Sequence, residues 1–400
     1  MNMKWLEDWF EKIEPKGKWS WLGSTYEAFH TFAFTPKTVT KSGSHIRDAV
    51  DMKRSIIIVV IALIPALLFG MWNIGYQTYT ANGTLSTFHF PLSTCFWFGF
   101  LRMLPMIAVS YIVGLGIEFA FAQYRHHEVN EGFLATGLLI PMIVPVTTPL
   151  WQLALAVAFA VIIGKEVFGG SGMNFLNPAL VARAFLFFAY PTHMSGDSVW
   201  IANDLWGSDA IAGATPMGQL ATGAHPSASA LDMLIGTIPG STCETSVIAI
   251  ALGAILLLFT GIASWRIMLS VFLGGGAMDL LFNLLSTFHF PLSTYMQLPF
   301  YYHFLMGGFA FGAVFMATDP VTAAQTNCGK WVYGLLIGAF AVLLRVCNPA
   351  YPEGMMLSIL FMNCMAPLID HCVVAKNIRR RSNRNTLSTQ INQRKEASHE

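Results

Sequence analysis

The stretch GFLATGLLIPMIVPVT, residues 132–147, is followed by Trp151 and then by NPA at 177–179. The same order returns later: GFAFGAVFMATDPVT, residues 308–322, then Trp331, then NPA at 348–350. Each copy is an apolar run opened by Gly-Phe and interrupted by proline, which reads as a helix broken before it is complete. Working outward, ten apolar segments can be marked: 55–72, 98–121, 132–145, 151–163, 178–190, 245–262, 267–285, 303–317, 331–346 and 355–374. The first copy opens the third segment and the second lies in the eighth. An offset of five, an odd number, makes the copies run in opposite directions across a membrane. Inverted repeats with broken helices describe a scaffold that holds a site where the repeats meet.

Composition supports a bilayer setting. The chain is 54% hydrophobic and only 11% charged, about half the charge of an ordinary soluble domain. Several segments are shorter than the roughly 20 residues that cross a bilayer as one helix, so half-helices are expected among them. The expected fold is an all-α integral membrane protein of about ten transmembrane helices in two inverted five-helix repeats. Basic residues give its orientation, because cytoplasmic loops are enriched in Lys and Arg. Arg125, Lys165, Arg266, Lys330 and Arg379–Arg381 all fall in alternate gaps or the tail, and the other five gaps contain no Lys or Arg. Both termini are therefore expected in the cytoplasm. Residues 191–244, which carry Asp197, Asp204, Asp209, Asp232 and Glu244, are expected outside.

This divides the chain into a cytoplasmic extension (1–54), a first membrane repeat (55–190), an external loop (191–244), a second membrane repeat (245–375) and a basic tail (376–400). The first residues are amphipathic and charged, so no cleavable signal peptide is expected. Basic residues gathered at the chain ends give no reason to expect a nucleic-acid partner. The six cysteines, Cys95, Cys243, Cys328, Cys347, Cys364 and Cys372, have no ligand spacing and read as isolated thiols in apolar helices. The segment LSTFHFPLST occurs identically at 85–94 and 285–294. His89 and His289 within it lack neighbouring ligands, and a shared structural role is expected rather than a metal site.

Three groups of residues can carry chemistry. SDAIAGATPMG, residues 208–218, is a small-residue turn with a hydroxyl at Thr215, and most such stretches are only turns. In GMNFLNPAL, residues 172–180, Asn174 and Asn177 lie one helical turn apart and offer both amide donors and acceptors to a polar ligand. The plainer reading is that Asn177 and Pro178 cap a helix. Glu118, Asp319 and Asp370 lie in or beside apolar segments, where charge is costly and functional by default. Their plainer reading is an interfacial acid, or one paired with Arg183, Arg345 or a neighbouring chain. Asp279 is a further buried acid with no assigned role.

The chain resembles the B subunits of sodium-pumping NADH:quinone oxidoreductases. The likeness runs through KSGSHIRDAVDMKR (41–54), HEVNEGFLATG (127–137), GKEVFGGSGMNFLNPAL (164–180), GGFAFGAVFMATDPVTA (307–323), RVCNPAYPEGMM (345–356) and PLIDHCVV (367–374). The resemblance implies FMN bound through a phosphoester at Thr215, in a D-x-x-[ST]-G-A-T setting matched by Asp209, Gly213, Ala214 and Thr215. Ala212 stands where the family often has a hydroxyl. It implies a noncovalent riboflavin at Asn174 and Asn177, a sodium path touching Asp370, Asp319 and Glu118, and a ubiquinone region at Gly114 and Glu118. Sodium is expected only as a transient passenger. The implied partners are the other five subunits (A, C, D, E and F), a flavin transferase, ubiquinone and lipid. The implied location is the bacterial inner membrane.

Two other readings compete. The related D subunits of Rnf-type ferredoxin:NAD oxidoreductases share the scaffold and a covalent flavin, but the extension before Ser55 favours the quinone reductase. A flavin-free transporter or channel suits inverted repeats equally well, yet has no need of the loop at Thr215. A purely structural scaffold leaves the intramembrane acids unexplained.

Overall fold

The computed structural model describes residues 52–81, 92–125, 132–202, 213–287, 294–348 and 353–396, with scattered positions before residue 52. Among these residues every regular element is helical. The long ones are α1 (Met52–Ala81), α2 (Leu92–Arg125), α4 (Leu150–Gly164), α9 (Trp265–Thr287), α12 (Asn327–Cys347) and α13 (Gly354–Glu396). Six stretches, built on these helices, are long and apolar enough to cross a membrane. Three shorter apolar helices, α3 (Phe133–Ile143), α5 (Pro178–Ala189) and α8 (Val247–Phe259), stand between them. Four short α-helices also lie among the described residues: α6 (Pro216–Ala221), α7 (Ala230–Ile235), α10 (Phe300–Leu305) and α11 (Phe309–Phe311).

The chain is thus a multi-pass helical membrane protein. Six of the expected segments appear as full-length candidates. The eighth is broken, as α10, then α11 running into a single π-helical turn at Gly312–Met316.

Broken helices at membrane depth need partners for their open backbone groups. At the end of α3 those partners come from residues just ahead of α8. The Thr242 hydroxyl donates to the carbonyls of Pro141 (2.7 Å) and Met142 (2.8 Å), and the Cys243 amide donates to Met142 at 3.1 Å. From α2, Ser110 donates to Gly137 (2.8 Å) and Tyr111 to Leu134 (2.6 Å). The chain folds around these half-helices because no water is there to solvate them.

Glycine sets the long crossings. A Cβ on Gly99 of α2 would fall 1.7 Å from the Met71 carbonyl oxygen of α1, and one on Gly338 of α12 would fall 2.0 Å from that of Val271 of α9. Backbones meet directly at both places, the close approach that small residues allow in membranes.

One apolar core draws on both halves, including Leu63, Phe133, Leu180, Val271, Phe309 and Ile359. A second core gathers Met217, Leu220, Met233, Phe282, Tyr295 and Val342. The helix carrying Asp370 continues without a break into the basic tail, so α13 joins the last segment to residues 376–396.

Candidate functional site

Thr215 is not merely a turn residue. It is the N-cap of α6: its hydroxyl accepts the Gly218 amide at 3.0 Å, and Pro216 occupies the first helical position. Thr and Pro at these positions suit a helix start. Gly213, whose amide donates to the Asp197 carbonyl at 2.8 Å, packs against Ile201, whose side chain would have to shift for a Cβ that would lie 2.3 Å from it. A Cβ on Gly218 would stand 3.3 Å from the Thr215 hydroxyl, so glycine there keeps the oxygen's surroundings open. Asp209 and Ala212 lie outside the described residues, as do His89, His289 and most of both LSTFHFPLST copies.

Thr215 opens onto a small cavity of about 80 Å³ lined also by Trp200, Ile238, Ser241, Glu244 and Glu353. The two acids belong to a buried ion cluster that the sequence reading missed. Arg183 of α5 donates to both Glu244 oxygens at 3.0 and 3.1 Å and also pairs with Glu353, which accepts the Gly308 amide at 3.1 Å. Arg345 lies in the same region and donates to the carbonyls of His303 and Met306. Asp279 faces His303 across 3.1 Å and accepts from Asn283 at 2.9 Å. Arg183 and Arg345 therefore serve other partners than the three acids for which pairing was considered.

Those three acids have different surroundings. Glu118, 4% exposed, pairs with Lys165, equally buried, and Arg125 reaches the neighbouring Glu166 at 3.5 Å. Asp319 accepts from the Thr322 hydroxyl (2.9 Å), the Val321 amide (3.1 Å) and the Asn177 amide nitrogen (3.3 Å). Asp370 accepts from the amides of Gln325 (2.7 Å) and Thr326 (2.9 Å) and the Thr326 hydroxyl (2.5 Å).

The structure thus joins Asn177 and Asp319, which lie 142 positions apart. Asn177 also caps α5, its side-chain Oδ1 accepting the Ala179 amide at 3.0 Å, so the plainer expectation for it holds. Buried Tyr333 and Asn363 are hydrogen-bonded to each other at 2.6 Å. Asn174 is tied within its own loop, to the Gly172 amide and the Leu176 carbonyl. Gly114 lies against Phe133, where a Cβ would be 1.9 Å from the ring.

Arg183 lies six positions beyond Asn177 along α5, about 9 Å of helix. A single short helix therefore links the amide–carboxylate cluster to the ion cluster beside Thr215.

The sequence profile of the NQR2, RnfD, RnfE family matches residues 39–379. The chain belongs to that family. Its matched span takes in both clusters, Thr215 and all three acids. Among family members, a protein from Ectopseudomonas mendocina (strain ymp) is 48% identical over 95% of this chain and 98% of its own length. One from Stutzerimonas stutzeri (strain A1501) matches at 48% over the same shares. One from Azotobacter vinelandii (strain DJ / ATCC BAA-1303) matches at 47%. Each of the three is named as the B subunit of a Na(+)-translocating NADH-quinone reductase. The likeness drawn from the motifs is thereby upheld along nearly the whole chain.

Among the described residues, no disulfide joins the six cysteines. Cys95 and Cys243 are buried and the other four exposed. Cys243 sits in the turn ahead of α8 rather than in a helix.

Proposed function

We propose that this chain is the membrane-embedded B subunit of a sodium-translocating NADH:ubiquinone reductase in the bacterial inner membrane, carrying FMN on Thr215 and riboflavin at Asn174 and Asn177. The observation that carries the reading is 48% identity to such a B subunit across 95% of the chain. The likenesses to quinone-reductase subunits favour it over an Rnf-type subunit, and the open setting of the Thr215 hydroxyl favours it over a flavin-free transporter. When bound, the flavins supply electron carriage toward ubiquinone, coupled to Na+ export.

The residues fit these groups. Thr215 offers an acceptor oxygen held by a helix cap, with Gly218 leaving space beside it, and Asp209, Gly213 and Ala214 complete the recognition pattern. Asn177 and Asn174 supply amides for riboflavin, and Asp319 orients the first of them. Glu118 and Gly114 serve the quinone region, where Lys165 is the partner of Glu118. Asp370, Asp319 and Glu118 border the path for sodium. The basic gaps and tail support both termini in the cytoplasm and residues 191–244 outside. The other five subunits (A, C, D, E and F) complete the complex, and a flavin transferase loads Thr215.

The deciding test is fluorescence of the denatured band from chains co-produced with the flavin transferase. The wild-type band should fluoresce and Thr215→Ala should be dark. A fluorescent Thr215→Ala band puts the attachment elsewhere.

A further inference from the structure

The helix that follows Thr215 has six residues, far fewer than an isolated helix needs to be stable in water. Its direction must be set by what holds it. Met217 and Leu220 are buried in the second core. Gly307, at φ +63°, makes room for Met217, because a Cβ there would lie 2.4 Å from its sulfur. Packing of this kind fixes depth but leaves rotation weakly determined.

Directional contacts fix the rotation: Gln219 exchanges hydrogen bonds with Ser227 on the exposed side, and a tyrosine holds the buried side. The Tyr295 hydroxyl donates to the Met217 carbonyl at 2.7 Å, and Tyr295 is only 1% exposed. Tyr295 is itself tied down. Its carbonyl lies 3.3 Å from Nε2 of His303, and a carbonyl can only accept, so that nitrogen carries the proton. The same nitrogen is 3.1 Å from Asp279, and Arg345 binds the His303 carbonyl. Three ionisable side chains from α9, α10 and α12 are thus gathered behind one tyrosine. None of them touches Thr215.

We propose that Tyr295 is a positioning residue for Thr215: by holding the Met217 carbonyl it fixes the turn that presents the Thr215 hydroxyl to the flavin donor. This rests on the reading of Thr215 as the attachment residue. In the transfer the Thr215 oxygen bonds to phosphorus of a flavin nucleotide donor, and a phosphoanhydride bond of that donor breaks. The departing phosphate takes the electron pair, and the hydroxyl proton passes to solvent. Tyr295 enters no bond change. It sets the approach.

The test is Tyr295→Phe in the full-length chain, co-produced with the transferase, which removes one hydroxyl and keeps the ring. Two quantities are read: the initial rate of covalent flavin gain per chain, and amide exchange by mass spectrometry on chains carrying no flavin. Losing one net hydrogen bond predicts about five-fold slower loading and about five-fold faster exchange in residues 216–221, with α9 and α12 unchanged. Wild-type loading and wild-type exchange in the variant would overturn the proposal. So would faster exchange spread evenly through α9 and α12, which marks a general packing role. Flavin mapped to another residue in the wild type sinks the attachment reading instead, and the flavin-free exchange result stands apart from it.

Discussion

Asp370 offers the sharpest perturbation, because its geometry and its expected role in sodium transfer make different demands. Its carboxylate takes two backbone amides and one hydroxyl from Gln325 and Thr326, and Thr326 is the N-cap of α12. Hydrogen bonds to a charged group contribute about 1.5–3 kcal/mol each. Three would sum to about 4.5–9 kcal/mol, but Asp370 is partly exposed and water replaces much of what is lost. About 2–4 kcal/mol is therefore expected for Asp370→Ala. Asp370→Asn keeps one oxygen able to accept twice and should cost about 1–2 kcal/mol. The assay is thermal unfolding of the detergent-solubilised complex, beside turnover against sodium concentration per mole of bound flavin. If the residue chiefly ties α13 to the start of α12, stability falls in the order wild type, Asn, Ala, and the sodium titration keeps its midpoint. If it borders the ion path, Asn moves that midpoint while stability changes little. An Ala variant as stable as the wild type would refute the reasoning from the three donors.

Other outcomes follow from the same geometry. Arg183→Leu strands Glu244 and Glu353 without their cation and should cost about 3–5 kcal/mol, read as lost yield of folded chain; normal yield would mean the cluster is not held by that arginine. Gly338→Leu puts a side chain into the Val271 carbonyl and should abolish the folded protein, whereas the same change at Gly116, with nothing nearby, should be tolerated. A cysteine placed at Ser208 should be labelled by an impermeant reagent in intact cells and one at Ser382 should not; the reverse pattern would invert the orientation. Between α5 and α8, the Ser229 hydroxyl and amide hold Asp232 below the ordinary carboxylate range. The capping box at α7 is therefore fully present above the usual aspartate value and lost as pH falls through the lowered one, which amide exchange in α7 would report.

What could be read from the chain alone divides by distance along it. Apolar length, proline breaks and the alternation of basic gaps are local quantities, and they suffice for a helical membrane protein with interrupted segments. The Asn177 cap is local too, and it was legible because Asn-Pro carries the helix-start pattern in two adjacent letters. Thr215-Pro216 carries the same pattern, yet the small residues around it suggested only a turn. The signal was present and was outweighed by its flanks. The partners of the buried charges are a different matter. Glu118 and Lys165 are 47 positions apart, Asp370 and Thr326 44, and Arg183 and Glu353 170. No periodicity relates such pairs, and each acid alone looks like a candidate ion ligand. The fact that a charge is costly in the bilayer predicts that it has a partner, but not which one. Here the partner alters the chemistry: a carboxylate already holding three donors has about one of its four lone-pair sites left for a cation. A sodium ion taken at Asp370 would then share the carboxylate with the start of α12, which makes that helix start, rather than the acid alone, the element to watch.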